Sequence, residues 1–172
     1  MNFSSVSTVQ KFVGYLSEPY LFLNLTRYST KIKLQQKSPK KSYVIDNGFI
    51  QARSFELSPN NGRLLENLVF IELLRRSYKP ELDLFYYKTR NDREIDFVCR
   101  KGHRVEQLIQ VSYDITNPRT LKRELDALIE AADELNCENL LLITWDKEEV
   151  IKKNELEIKL LPASKWLCAI SE

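Results

Sequence analysis

Several kinds of chemistry are closed to this chain by what it lacks. It has one histidine, four glycines and three cysteines in 172 residues. His103, beside Gly102 in a turn signal, cannot form a histidine-pair metal site, and as the only base for a Ser-His-Asp triad it reads better as a solvated loop residue. None of the four glycines falls in a GxxxxGK[ST] pattern, so ATP binding through a P-loop, and with it ATPase activity, is not expected. Cys99, Cys137 and Cys168 are odd in number and far apart, which suits neither a disulfide framework nor a zinc site. Reduced core thiols in a cytoplasmic protein are expected instead. No apolar run approaches the ~20 residues of a membrane span. No basic segment leads into an apolar stretch at the N-terminus, so neither a secretory signal nor a membrane partner is expected.

What is present is an ordinary globular composition, 43% hydrophobic and 29% charged. The length suits one domain, or a domain with a small appendage, that buries roughly two-thirds of its unfolded surface. The net charge of +2 conceals an asymmetry. Residues 1–45 carry Lys11, Arg27, Lys31, Lys33, Lys37, Lys40 and Lys41 against Glu18 alone, while the remainder is mildly acidic. Lys31, Lys33, Lys40 and Lys41 are therefore candidate contacts to a nucleic-acid backbone. The competing reading is a solvated hairpin whose lysines discourage edge-to-edge aggregation.

Val6, Val9, Phe12, Val13 and Leu16 recur at helical spacing behind Ser4, Ser5 and Ser7, and Glu18-Pro19 ends that helix. Leu21 to Leu25 alternate as a strand, and Arg27 to Gln35 and Ser42 to Asp46 read as two more. A helix followed by a basic hairpin resembles the back half of a winged helix, without the supporting helices that groove reading requires. The turn signal Asp46-Asn47-Gly48 marks the boundary between a partial winged helix (1–45) and the main domain (46–172).

Within the main domain a buried helix is expected over 63–77, because leucines and other apolar residues surround it almost completely. Leu82–Tyr87, Glu94–Cys99 and Arg104–Tyr113 read as a three-stranded meander. An amphipathic helix begins at Pro118, with Leu121, Leu125, Leu128, Ile129, Ala132 and Leu135 as its stripe. Leu140–Trp145 is a continuous apolar run of the kind found in a central strand. Leu156–Leu161 forms a last strand, and Pro162 opens a terminal helix. The expected fold is mixed α/β, a central sheet of about five strands flanked by helices on both faces.

Three oxygen-bearing side chains stand out. Glu66 shares its helical face with Phe70 and Leu73, where a carboxylate needs a partner; macrodipole stabilisation or an arginine such as Arg63 would also serve. Asp96 lies between apolar residues of a strand, an unfavourable place for Asp. Strand alternation puts Glu94, Asp96 and Val98 on one face, and Leu108, Gln110 and Ser112 on one face of the next strand. Together they could gather around a hard divalent cation, which takes oxygen ligands.

Tyr43-Val-Ile-Asp-Asn-Gly48, Gly62-x-x-x-Glu66-Asn67, Phe85-Tyr-Tyr-Lys-Thr89, Arg93-Glu-Ile-Asp-Phe-Val98 and Leu108-Ile-Gln-Val111 stand in an order and spacing that resemble a known domain. It is the PD-(D/E)XK nuclease-like domain at the C-terminal end of many archaeal and bacterial AAA-type ATPases, and the resemblance covers nearly the whole chain. It implies a restriction-endonuclease-like fold, a site at Glu66, Asp96 and Gln110, and Mg²⁺ or Mn²⁺ as cofactor. It also implies DNA as substrate, with an ATPase module or a second copy of the chain as partner. The family's lysine falls at Ser112, a neutral hydroxyl, so the implied endonuclease site is degraded unless another lysine serves; Lys122 and Lys88 are the candidates. The alternatives are a non-catalytic DNA-binding module and a regulatory or oligomerisation domain for an ATPase.

Overall fold

Two helices with very different apolar patterns dictate a layered arrangement. In the computed structural model, which describes residues 21–53 and 60–169 together with 11 and 15, a central sheet separates two cores. The sheet contains β3 (Leu84–Lys88), β4 (Glu94–Lys101), β5 (Arg104–Ser112), β6 (Leu140–Thr144), β7 (Glu149–Lys153) and β8 (Leu156–Pro162). Their spatial order is β3-β4-β5-β6-β8-β7. The meander β3-β4-β5 is antiparallel, β5, β6 and β8 run parallel, and β7 returns antiparallel on β8. The fold is thus mixed α/β, with six strands where about five were expected. The additional strand, β7, is a mostly exposed edge with no buried residue.

Before the sheet come β1 (Phe22–Leu25), α1 (Ile32–Lys37), β2 (Lys41–Val44), α2 (Asn47–Arg53) and α3 (Asn61–Arg75). The helix α4 (Pro118–Leu135) links β5 to β6, and α5 (Ala163–Cys168) follows β8. α4 lays Leu125 and Leu128 on Ile95, Val98, Leu108 and Leu142. α3 lays Leu65, Val69, Phe70 and Leu73 on the opposite face against Phe97, Ile109, Leu141 and Ile143, with Trp166 of α5 beside them. α3 is capped by the Asn60 side chain, which accepts from the Arg63 amide, and α4 by Asn117, with Pro118 in its first turn. Among the described residues no helix is long and apolar enough to cross a membrane.

Three expectations are corrected. Ile32–Lys37 is helical, so Arg27–Gln35 is not a strand; only Arg27 makes an isolated bridge, to Tyr86 of β3. Ile32 and Leu34 alternate with lysines, but both are exposed and no half-buried strand face exists for them to line. Second, strict alternation fails in β4. From Phe85 to Tyr87 the partner residue moves from Val98 to Ile95, so β4 carries one residue more than β3 over that stretch. Ile95 and Val98 consequently enter one core while Phe97 and Cys99 enter the other. A bulge of this kind re-aims the side chains it contains, and Asp96 is inside it. Third, the pairing that was expected to begin at Ser42 begins at Lys41. The helix expected over Val6–Leu16 lies largely outside the described residues.

The β1–β2 hairpin is fastened to the domain by side chains acting as a substitute strand. The buried Asn67 amide donates to the Val44 carbonyl and accepts from the Val44 amide, both at 2.9 Å. Arg27 donates to the Lys88 carbonyl at 2.8 Å, and Tyr28 and Tyr86 exchange backbone bonds with the facing segment.

Candidate functional site

β4 and β5 part company beyond the Phe97–Ile109 pair. Their backbone ladder is replaced there by side chains: Asp96 N–H donates to Gln110 Oε1 at 3.2 Å, and Val111 N–H donates to Asp96 Oδ2 at 2.9 Å. β5 meanwhile keeps its parallel partner β6 through Ser112. A cleft of about 500 Å³ opens at this divergence, and Glu66, Glu94, Asp96, Gln110, Ser112 and Glu124 are among its lining residues. Glu66, Asp96 and Gln110 therefore meet at one place, each from the element that sequence pattern assigned it.

The lysine beside them comes from neither candidate. Lys41, the first residue of β2, places its ammonium 2.9 Å from Glu66 Oε1, 2.8 Å from Glu94 Oε1 and 2.8 Å from Asp96 Oδ1. Its side chain is 19% exposed. Lys41 and Tyr43 are two apart on a strand and so share a face. The Tyr43 ring stacks on Phe70 with centroids 4.1 Å apart, and its hydroxyl donates to Glu66 Oε1 at 2.7 Å. Thus the same alternation that buries Tyr43 carries Lys41 into the acid cluster. Lys41 is accordingly a half-buried partner of the acid cluster and not a freely solvated lysine. Of its companions, Lys31 and Lys33 are exposed around α1, and Lys40 pairs with Glu81 at 3.1 Å. Lys122 is exposed on α4 and does not line the cleft. Lys88 pairs with Asp92 at 3.2 Å. Ser112 turns its hydroxyl toward the Asp114 carbonyl at 3.4 Å.

Burial disfavours the Lys41 ammonium, but the charges of Asp96, Glu66 and Glu94 outweigh it and hold the group protonated well above its ordinary range. For Asp96 burial is the larger influence. It pushes the carboxyl up to about 7, against the pull of Lys41. Burial, and then the negative charge of Glu66, also raises Tyr43, which stays a neutral donor.

Gln110 is engaged on both sides. Its Oε1 accepts from Asp96 N–H, and its Nε2 donates to Glu124 Oε2 at 2.7 Å. Glu124 is buried at the first turns of α4, and its other oxygen is held by the Arg123 guanidinium. The sequence pattern did not single out Glu124. The signal was its spacing, three residues after Leu121 and four before Leu128, both on the apolar stripe.

Every donor around Lys41 is an oxygen, and the three carboxylates exceed the single ammonium in charge. In kind and in charge the set suits a hard divalent ion. Among the described residues no three acidic, thiol or imidazole groups are placed to enclose an ion by themselves.

Residues 61–166 match the family described as a domain of unknown function, DUF4143. The chain belongs to the DUF4143 family. The match takes in Glu66, Asp96, Gln110 and Glu124 but begins after Lys41 and Tyr43, so the DUF4143 cleft is completed from outside the matched segment. An uncharacterized protein of Methanocaldococcus jannaschii is 37% identical over 164 residues, covering 92% of this chain and 35% of the relative. An uncharacterized protein of Haemophilus influenzae is 31% identical over 112 residues, covering 65% of this chain and 26% of the relative. This DUF4143 chain thus spans about a third or less of the length of these relatives. No solved structure matches it.

Proposed function

We propose that this DUF4143 chain is a restriction-endonuclease-like domain of an ATPase-family protein, a metal-dependent DNA endonuclease whose lysine has moved from the Ser112 position to Lys41. The observation that carries the reading is the Lys41 ammonium within 2.9 Å of both Glu66 and Asp96, two acids that line a cleft together with Gln110 and Ser112. Hydrolysis of a phosphodiester develops negative charge on the phosphate oxygens, and a fixed cation there stabilises the transition state more than the ground state. Lys41 is held beside the acids that would carry the ion.

Asp96, re-aimed by the bulge, and Glu66, fixed by Tyr43, are the residues that would hold Mg²⁺ or Mn²⁺. When bound, the ion polarises the scissile phosphate and lowers the pKa of an attacking water. Gln110 orients Asp96 by accepting its backbone N–H, and Glu124 fixes which end of the Gln110 amide faces Asp96. Cleavage would require Lys41 to exchange at least one carboxylate for the phosphate, since its ammonium is already saturated with carboxylates, donating to Glu66 and Asp96 and ion-paired with Glu94.

That saturation also favours a second reading, in which Lys41 replaces the metal and the domain is a non-catalytic binding or regulatory module for an ATPase. The test is incubation of the intact chain with supercoiled plasmid and with single-stranded DNA in Mg²⁺, Mn²⁺ or EDTA. The first reading expects nicked or shortened products with either metal and none in EDTA. Intact DNA in every condition would select the second reading.

A further inference from the structure

A second cleft, of about 360 Å³, lies on the other side of the acid cluster, between the hairpin segment and β3. Its basic lining comes from Arg27, Lys40, Lys41 and Lys88, and its acids are Asp92 and Glu94, which also line the first cleft. Glu94 is engaged by Lys41. Asp92 pairs with Lys88, but its side chain is 84% exposed, where an ion pair contributes little. Arg27 makes no salt bridge among the described residues. One nitrogen donates to the Lys88 carbonyl, and its Nε is buried without a hydrogen-bond partner. The Arg27 guanidinium thus lines this cleft without a carboxylate partner among the described residues, and its fork suits phosphate oxygens. The volume is about ten times the ~30 Å³ share of a water molecule, which leaves room for a phosphate group with its hydration.

We infer that this cleft is a phosphate subsite that grips the nucleic-acid backbone next to the acid cluster, with Arg27 and Lys88 as its contacts and Lys40 at its rim. The inference rests on the reading of the neighbouring cleft as a nuclease-type site, and it names where the strand enters: across β3, past Asp92 and Glu94. It assigns backbone contact to residues flanking β3 rather than to the exposed lysines of α1. The two clefts share Asp92 and Glu94, so one strand can occupy both.

The test uses the full chain carrying Asp96→Asn, in EDTA, so that binding is read without cutting. Anisotropy of a labelled oligodeoxynucleotide is followed across a salt series. Arg27→Gln with Lys88→Gln is expected to weaken binding at least tenfold and to reduce the salt slope by about 1.4–1.8, two contacts at roughly 0.7–0.9 each. Arg27→Lys is expected to keep the slope. Should Arg27→Gln fail to fold by circular dichroism, Lys88→Gln alone is expected to remove about half of that change. Lys152→Gln with Lys159→Gln, exposed on β7 and β8, is the control. An equal loss in control and cleft variants would overturn the subsite. So would saturable displacement of the oligonucleotide by sub-millimolar inorganic phosphate, which would assign the cleft to a small phosphate compound. Binding that survives in a chain with no nuclease activity would keep the subsite and remove only the catalytic reading.

Discussion

Lys41→Met is expected to destabilise the fold by about 3 kcal/mol, a fall of roughly 6–12 °C in Tm for a chain of this size. Removing the ammonium leaves Glu66, Glu94 and Asp96 facing one another, with the Asp96 side chain only 10% exposed. Deleting one partner of a buried pair is far more harmful than replacing the whole pair, because the remaining charge has no compensation. The loss should depend on pH. Asp96 in the fold is already raised to about 7, above the unfolded carboxyl range near 4, and without Lys41 it rises further. A carboxyl raised on folding adds stability that is complete below the unfolded value and disappears as pH climbs through the folded one. The variant should therefore lie furthest below the native chain at pH 8 and approach it at pH 5. Thermal unfolding of both proteins at the two values checks this. A deficit that is constant across pH would show that Lys41 acts through packing alone.

Asp96→Asn should separate activity from stability. The amide keeps the shape and can still accept from Val111 N–H or from Lys41, and it removes a buried charge that burial already disfavours. Stability should therefore fall by less than in Lys41→Met, because Glu66 and Glu94 still neutralise the ammonium. Metal-supported cleavage, in contrast, should fall by about 10²–10³-fold, the usual effect of removing one electrostatic contact to a transition state. Single-turnover cleavage alongside thermal unfolding makes the comparison. Undiminished cleavage in a folded variant would remove Asp96 from the chemistry.

These effects depend on features that were unequally legible. Glu66, Asp96 and Gln110 could be placed because each interrupts an apolar pattern, and a polar residue within a buried face signals a partner. The strand order of the meander followed from its turns, and the central place of β6 from its unbroken apolar run. The bulge at Asp96 was not legible: residues 94–99 alternate without a glycine or any other mark of an inserted residue, and only pairing with β3 reveals it. α1 was misread because six residues with alternating apolar side chains satisfy a strand pattern even when none of them is buried. β7 was missed because an edge strand needs no buried face. Lys41 was read as a nucleic-acid backbone contact or a solvated hairpin lysine because a lysine-rich segment has the same composition whether its ammonium groups meet phosphate, water or carboxylates. Only the docking of β2 by Asn67 separates these cases.

The central proposal, that Glu66 and Asp96 would hold a divalent ion beside Lys41, is met most directly by diffraction from crystals soaked in Mn²⁺. The account predicts an anomalous peak within coordination distance of Asp96 and Glu66 oxygens, with the Lys41 ammonium displaced from at least one carboxylate yet still in the cleft. A Lys41 that keeps all three carboxylate contacts, with no manganese beside them at saturating concentration, would contradict it.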